Sequence, residues 1–127
     1  TAICLALPEA NSLGLALFEA QDLDALLARA AREPCVLVVV ENDFYTRLPA
    51  AQIDSALAGA TLIAIDHQLT ATVSRAHAVL PAASFAEGDG TLVNYEGRAQ
   101  RLFQVYDPAY YDAEVAVAES WRWLDRS

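Results

Sequence analysis

The sequence contains no methionine and no lysine, and only two cysteines and two histidines in 127 residues. Each shortage narrows what the chain can do. A complete reading frame begins with methionine, so the expectation is a fragment of a larger subunit, cut from a longer polypeptide or trimmed of its start. All basic residues are arginine, eight against 17 acidic ones, and the net charge is −9. A surface of that sign repels nucleic acid and anionic lipid, so neither is expected as a direct partner. Acidity is read first as the ordinary route to solubility. Apolar runs such as Cys35 to Val40 fall far short of the roughly 20 residues that span a bilayer, and no direct membrane insertion is expected. The strand-like start at Thr1 carries no basic leader, so no secretory signal is expected.

Cys4 and Cys35 each sit in an apolar run and read as buried free thiols. A disulfide between them is disfavoured in a reducing compartment. Two thiols are fewer than the roughly four that hold an iron–sulfur cluster. His67 and His77 stand ten apart, without a CxxC or HExxH, so no metal site is expected. Gly88-Asp89-Gly90 is only a GxG and reads as a turn rather than a phosphate cradle. Ser84 lacks the G-x-S-x-G context of a nucleophile.

What remains is apolar and periodic. Hydrophobic residues make up 55% of the chain, enough for one domain with a core and against disorder. Residues 2–7 read as a buried strand. Asn11-Ser12 suits a helix N-cap, with Leu13 to Ala20 as a short helix. Asp22 caps a second helix, in which Leu23, Leu26, Leu27 and Ala30 share one face, Arg29 and Arg32 fall in the last turn, and Pro34 stops the run. Cys35 to Val40 has the unbroken pattern of a strand covered on both faces. A helix opened by Pro49 follows, with Ile53, Ala56 and Leu57 inward and Gly59 at its close. Thr61 to Ile65 is the next strand, ending in Asp66-His67. A strand–helix–strand unit with short connections predicts parallel pairing and a right-handed crossover. A short helix or turn over Thr70 to Arg75 and a strand over Ala76 to Leu80 complete this part.

Beyond Pro81 the pattern changes. Thr91 to Val93 and Arg98 to Tyr106, joined through Asn94-Tyr95-Glu96-Gly97, predict a β-hairpin. Asp112 caps a final helix with Val117, Trp121 and Leu124 on one face, while Trp123 points elsewhere and is the better candidate for an outside contact. The fold class expected is α/β: one domain over 1–127, a parallel Rossmann-like sheet flanked by helices, with a C-terminal β-hairpin and a final helix.

In such sheets ligands gather at the carboxyl ends of the strands. Glu41-Asn42-Asp43, Asp66-His67-Gln68 and Ser84 fall there. These residues suit nucleotide or pterin binding, or acid–base work by His67 with a carboxylate. The plainer reading is that they cap helices and satisfy loop backbones.

The stretch from Ala76 to Phe103 carries a more specific pattern: Leu80-Pro81, Glu87, Gly90-Thr91, Asn94, Glu96-Gly97-Arg98 and Gln100. It resembles the C-terminal region of molybdopterin oxidoreductases, and Asn11-Ser12-x-Gly14, Glu41-Asn42-Asp43, Asp66, Thr70 and Thr72 agree with it. Glu41 to Tyr45, Arg98 to Pro108 and Glu119 to Leu124 are further similar to the large iron–sulfur subunit family of bacterial NADH-quinone oxidoreductases, respiratory complex I. That resemblance implies a parent subunit carrying 2Fe–2S and 4Fe–4S clusters in its N-terminal part. These clusters would pass electrons from NADH, by way of FMN, toward quinone. It implies a scaffold role for this segment in the cytoplasmic arm, peripheral to the inner membrane. The partners implied are the other peripheral-arm subunits and the N-terminal part of the same chain. No catalytic residue and no cofactor are expected in the segment itself. The corresponding edge of cofactor-bearing relatives faces the pterin dinucleotide, which makes Asp66, Gln68 and Thr70 the candidate remnant cofactor-binding positions. Arg98 is expected to pair with Glu96 or Glu87 and pin the hairpin to the sheet edge. Two other functions remain open: a fragment of a true molybdopterin enzyme of the formate dehydrogenase or nitrate reductase kind, and a free-standing nucleotide-binding α/β domain.

Overall fold

The computed structural model describes residues 9–18 and 21–107. The strand expected over 2–7, the final helix, Cys4, Trp121 and Trp123 lie outside the described residues. Two short helices open the described part, α1 (Ser12–Ala16) and α2 (Leu23–Ala30). A parallel sheet follows, of β1 (Val36–Val40), β2 (Thr61–Asp66) and β3 (Ala78–Pro81), in that spatial order. A 3-10 turn (Phe44–Thr46) and α3 (Ala50–Leu57) connect β1 to β2, and α4 (Ala71–Arg75) connects β2 to β3. A separate antiparallel pair, β4 (Gly90–Val93) and β5 (Ala99–Leu102), completes the mixed α/β fold.

Local chemistry explains most boundaries. Asp22 accepts a hydrogen bond from Ala25 N at 2.8 Å and so starts α2, where Arg29 complements the carboxyl-end dipole. Thr70 caps α4 through its hydroxyl, which accepts from Val73 N at 3.1 Å. In the hairpin, Asn94 Oδ1 accepts from both Glu96 N and Arg98 N, and Gly97 adopts a φ of +78° that an L side chain resists. The turn therefore fixes the pairing of Val93 with Ala99.

The main core cluster lies on one face of the sheet, while Ile65, on the opposite face, is also fully buried. Leu27 and Ala30 of α2 and Ile53 and Ala56 of α3 pack with Phe44 against Leu37, Val39 and Leu62. Burying each aliphatic side chain there contributes on the order of 1.5–3 kcal/mol. The opposite face of β1 differs from its expectation. Val36, Val38 and Val40 remain 62%, 47% and 38% exposed, so the run is covered on one face, not two, among the described residues.

Five further expectations need correction. The first helix ends at Ala16 rather than Ala20, and Asn11 makes no side-chain cap to it. Leu26 is exposed, and the stripe of α2 that meets the core is Leu23, Leu27 and Ala30. Cys35 is a free thiol but only half-buried, since it precedes β1 at the rim of the core. The second hairpin strand stops at Leu102, after which Val105 N and Tyr106 N both donate to Ala86 O. Arg98 pairs with Glu96 at 3.2 Å, as expected, but that pair lies within the hairpin and does not join it to the sheet edge. A different residue ties the hairpin down: Asn11 Oδ1 accepts from Val93 N at 2.9 Å and holds α1 against β4. A Cβ at Gly14 would collide with this same Asn11 oxygen, which accounts for glycine there.

Candidate functional site: the carboxyl edge of the sheet

The carboxyl ends of β1, β2 and β3 bring together the loops that the sequence marks as candidates. At the end of β1, Glu41 takes a positive φ of 47° and donates its N–H to Ile65 O. This left-handed residue turns the chain sharply, so that Asp43 faces α4. Asp43 Oδ1 then accepts three hydrogen bonds, from Thr72 Oγ1 at 2.7 Å, Thr72 N at 3.1 Å and Tyr45 N at 3.2 Å. Thr72 is fully buried, and its hydroxyl also accepts from Phe44 N at 2.8 Å. Burial alone would raise the Asp43 pKa. The bonds from Thr72 and from the backbone N–H groups of Tyr45, Thr72 and Ala71 outweigh it and hold the carboxyl below its ordinary value.

Asp66, the last residue of β2, is buried. Its Oδ1 accepts from Gln68 N at 2.9 Å and stands 3.7 Å from His67 Nδ1. Its carbonyl accepts from Ala82 N, which continues the pairing of β3 with β2. Thr70 is committed to capping α4, and its N–H donates to Gln68 O. Asp66, Gln68 and Thr70 thus occupy one tight loop. Of the three, only Gln68 is exposed. Past β3, Glu87 Oε2 accepts from Ser84 N at 2.8 Å. Hydrogen bonds from the Ser84 backbone and side chain lower the Glu87 carboxyl against the effect of burial, with a further contribution from His67. His67 is therefore near both Asp66 and Glu87.

The edge can thus hold its own loops in place. No described buried side-chain nitrogen or oxygen lacks a hydrogen-bond partner. Among the described residues no group of three or more His, Cys, Asp or Glu is arranged to hold a metal ion. A pterin cofactor needs polar groups held ready for it, and Asp43, Asp66, Thr70 and Glu87 already make intramolecular bonds.

A second concavity, of about 300 Å³, lies between α3 and α4 toward the amino ends of β2 and β3. Asp54 Oδ1 accepts there from Tyr45 OH and from Arg75 Nη2, each at 2.6 Å. Burial and the Asp54 hydrogen bond raise the Tyr45 phenol above its ordinary value. His77 Nδ1 accepts from Leu62 N at 3.0 Å, which leaves Nε2 as the ring's donor. Sequence reasoning singles out none of these contacts. They join residues 9 to 21 positions apart through tertiary packing and leave no spacing signal.

The molybdopterin oxidoreductase family model matches residues 10–112. The chain belongs to the molybdopterin oxidoreductase family. Within it the chain is similar to the G subunit of NADH-quinone oxidoreductase. It is 56% identical over 124 residues to that protein of Pseudomonas putida, 57% over 126 residues to that of Shewanella oneidensis, and 51% over 116 residues to that of Escherichia coli strain K12. The matches cover 96%, 96% and 90% of this chain, but only 14%, 14% and 13% of the relatives. The chain thus spans about one seventh of the length of the curated relatives it matches. Both levels of the resemblance stated from the sequence are borne out as similarity. The edge formed by residues 41–87 falls inside the region that the family model matches. No described helix is long and apolar enough to cross a membrane.

Proposed function

We propose that this chain is a scaffold segment of a polypeptide of the NADH-quinone oxidoreductase G-subunit type and is itself non-catalytic. The observation that carries the reading is the state of the carboxyl edge. Asp43 takes three bonds from Tyr45 and Thr72, and Asp66 is drawn into its own loop. An edge built for chemistry would present such groups to a ligand. This one uses them to hold β1 to α4 and to close the loop after β2. The similarity to the P. putida protein over 96% of the chain supports placing the segment in the peripheral arm, at the cytoplasmic face of the inner membrane. Its partners are then the rest of the same polypeptide and neighbouring arm subunits. The iron–sulfur clusters and the NADH-to-quinone electron path belong to other parts of the assembly.

The test is a graft. This segment replaces the matching 14% of the P. putida protein, and complex assembly and NADH–quinone reductase activity are measured. Assembly and activity should both be kept, and Asp66→Ala, Gln68→Ala and Thr70→Ser should leave activity per assembled complex unchanged. A loss of activity per complex with assembly intact would refute the scaffold reading.

One observation favours a second reading, residual nucleotide or pterin affinity at Asp66, Gln68 and Thr70. The Gln68 amide is exposed at the open edge next to His67. Calorimetry with a guanine nucleotide tests it: saturable heat that disappears in Asp66→Ala supports this reading over the pure scaffold.

A further inference from the structure

The concavity of about 300 Å³ between α3 and α4 differs from the carboxyl edge in keeping part of its hydrogen-bonding capacity unspent. Arg75, the last residue of α4, and His77, two residues on, both line it and can only donate. A guanidinium has no acceptor, and Arg75 gives one N–H, on Nη2, to Asp54 Oδ1. His77 Nδ1 accepts from Leu62 N, so the ring carries its proton on Nε2. Asp54, on α3, supplies the opposite function. Tyr45 OH and Arg75 both bond its Oδ1, which leaves Oδ2 as an acceptor. Leu57, Ala60 and Leu62 add apolar surface, and the last two are buried. A hollow of this size lies at the small end of ligand pockets, which run from roughly 300 to 1,000 Å³.

The charges of this set cancel. Arg75 carries one positive charge and Asp54 one negative, with Nη2 and Oδ1 at 2.6 Å. A simple anion gains from Arg75 much of what it loses to Asp54. A dianion such as phosphate is opposed further by the chain's net charge of −9. A molecule that carries both signs on neighbouring atoms meets no such conflict. We propose that this concavity binds a small apolar α-amino acid as its zwitterion, with the carboxylate on Arg75 and His77 Nε2–H and the ammonium on Asp54 Oδ2. The short side chain lies against Leu57, Ala60 and Leu62. This goes beyond the scaffold role and does not depend on it. The Arg75 and Asp54 side chains are 58% and 42% exposed, so water screens both contacts, and the dissociation constant is on the order of 1 mM.

The test is an NMR titration of the isotope-labelled 127-residue chain with L-valine, acetate, isopropylamine and inorganic phosphate. Shifts are read at Leu62 N–H and His77 Nε2–H. Valine should give saturable shifts at both, and each of the other three should bind about tenfold or more weakly. Arg75→Gln should weaken valine binding by about tenfold. Ala58→Trp fills the concavity from the exposed end of α3 and leaves its polar groups untouched. It should abolish the shifts without lowering the melting temperature. No saturation by valine up to about 50 mM would overturn the proposal. So would acetate or phosphate binding as tightly as valine, the mark of a plain anion site. Valine binding that survives Ala58→Trp would also overturn it, by placing the amino acid elsewhere on the chain.

Discussion

Thr72→Val removes one hydroxyl from a site with no solvent to replace it, and tests whether the carboxyl edge is a structural strap. Valine keeps the shape of threonine. It loses the donor to Asp43 Oδ1 and the acceptor for Phe44 N. A hydrogen bond to a charged carboxylate contributes about 1.5–3 kcal/mol, and an orphaned buried N–H costs about 1–3 kcal/mol. The added methyl group returns somewhat under ~1 kcal/mol of apolar burial. The net loss should be about 2–4 kcal/mol, a fall in melting temperature of roughly 8–15 °C for a domain of this size. Urea and thermal unfolding followed by circular dichroism measure both. The pH dependence gives a second check. The Asp43 pKa is lower folded than unfolded, so its contribution is complete above the unfolded value of about 3.9 and is lost as pH falls through the folded value. The gap between wild type and variant should therefore narrow on acidification below about pH 4, leaving the part due to Phe44 N–H. A loss under about 0.5 kcal/mol at neutral pH, or a gap that ignores acid, would refute the strap.

Other positions give sharper local tests. Gly14→Ala should destabilise by about 1–3 kcal/mol through the collision with Asn11. In an Asn11→Ala background most of that penalty should vanish, and a double-mutant cycle by denaturant unfolding reads the coupling. His77→Leu should cost about 1–3 kcal/mol because Leu62 N–H loses its acceptor. His77→Asn, which retains an acceptor, should recover part of that, as measured by thermal melts. Glu41→Val should lose about 1–2 kcal/mol in the left-handed conformation, again by unfolding in urea. The Glu87 carboxyl is lowered in the folded state, so Glu87→Ala should flatten the acid limb of the stability curve below about pH 4.3 while changing little of its shape above it.

The features legible in the sequence are those whose causes lie close along the chain. Asp22 announces its helix because an N-cap bonds a residue three positions on. The Asn94–Gly97 turn names its own hairpin. The parallel pairing of β1 with β2 follows from the short connection through α3. What stays hidden depends on distant partners. Asn11 has the neighbours of a helix cap and instead bonds Val93, 82 positions away. Asp43 and Asp66 have the spacing of a ligand-facing edge. Only the placement of Thr72, 29 positions beyond Asp43, shows that the first is occupied. The valines of β1 read as doubly covered because alternation in burial cannot be seen when every residue is apolar.

The two-fold use of the Asn94 side chain has a kinetic consequence. Its bonds to Glu96 and Arg98 close within a span of five residues, so the β4–β5 arm can find its alignment without the sheet. Isolated hairpins close in about 1–10 μs, well before pairings of distant strands are made. The arm is thus expected to arrive ready-made, with Val93 N–H open to Asn11, and the last step of assembling this region would be the latching of α1 onto it.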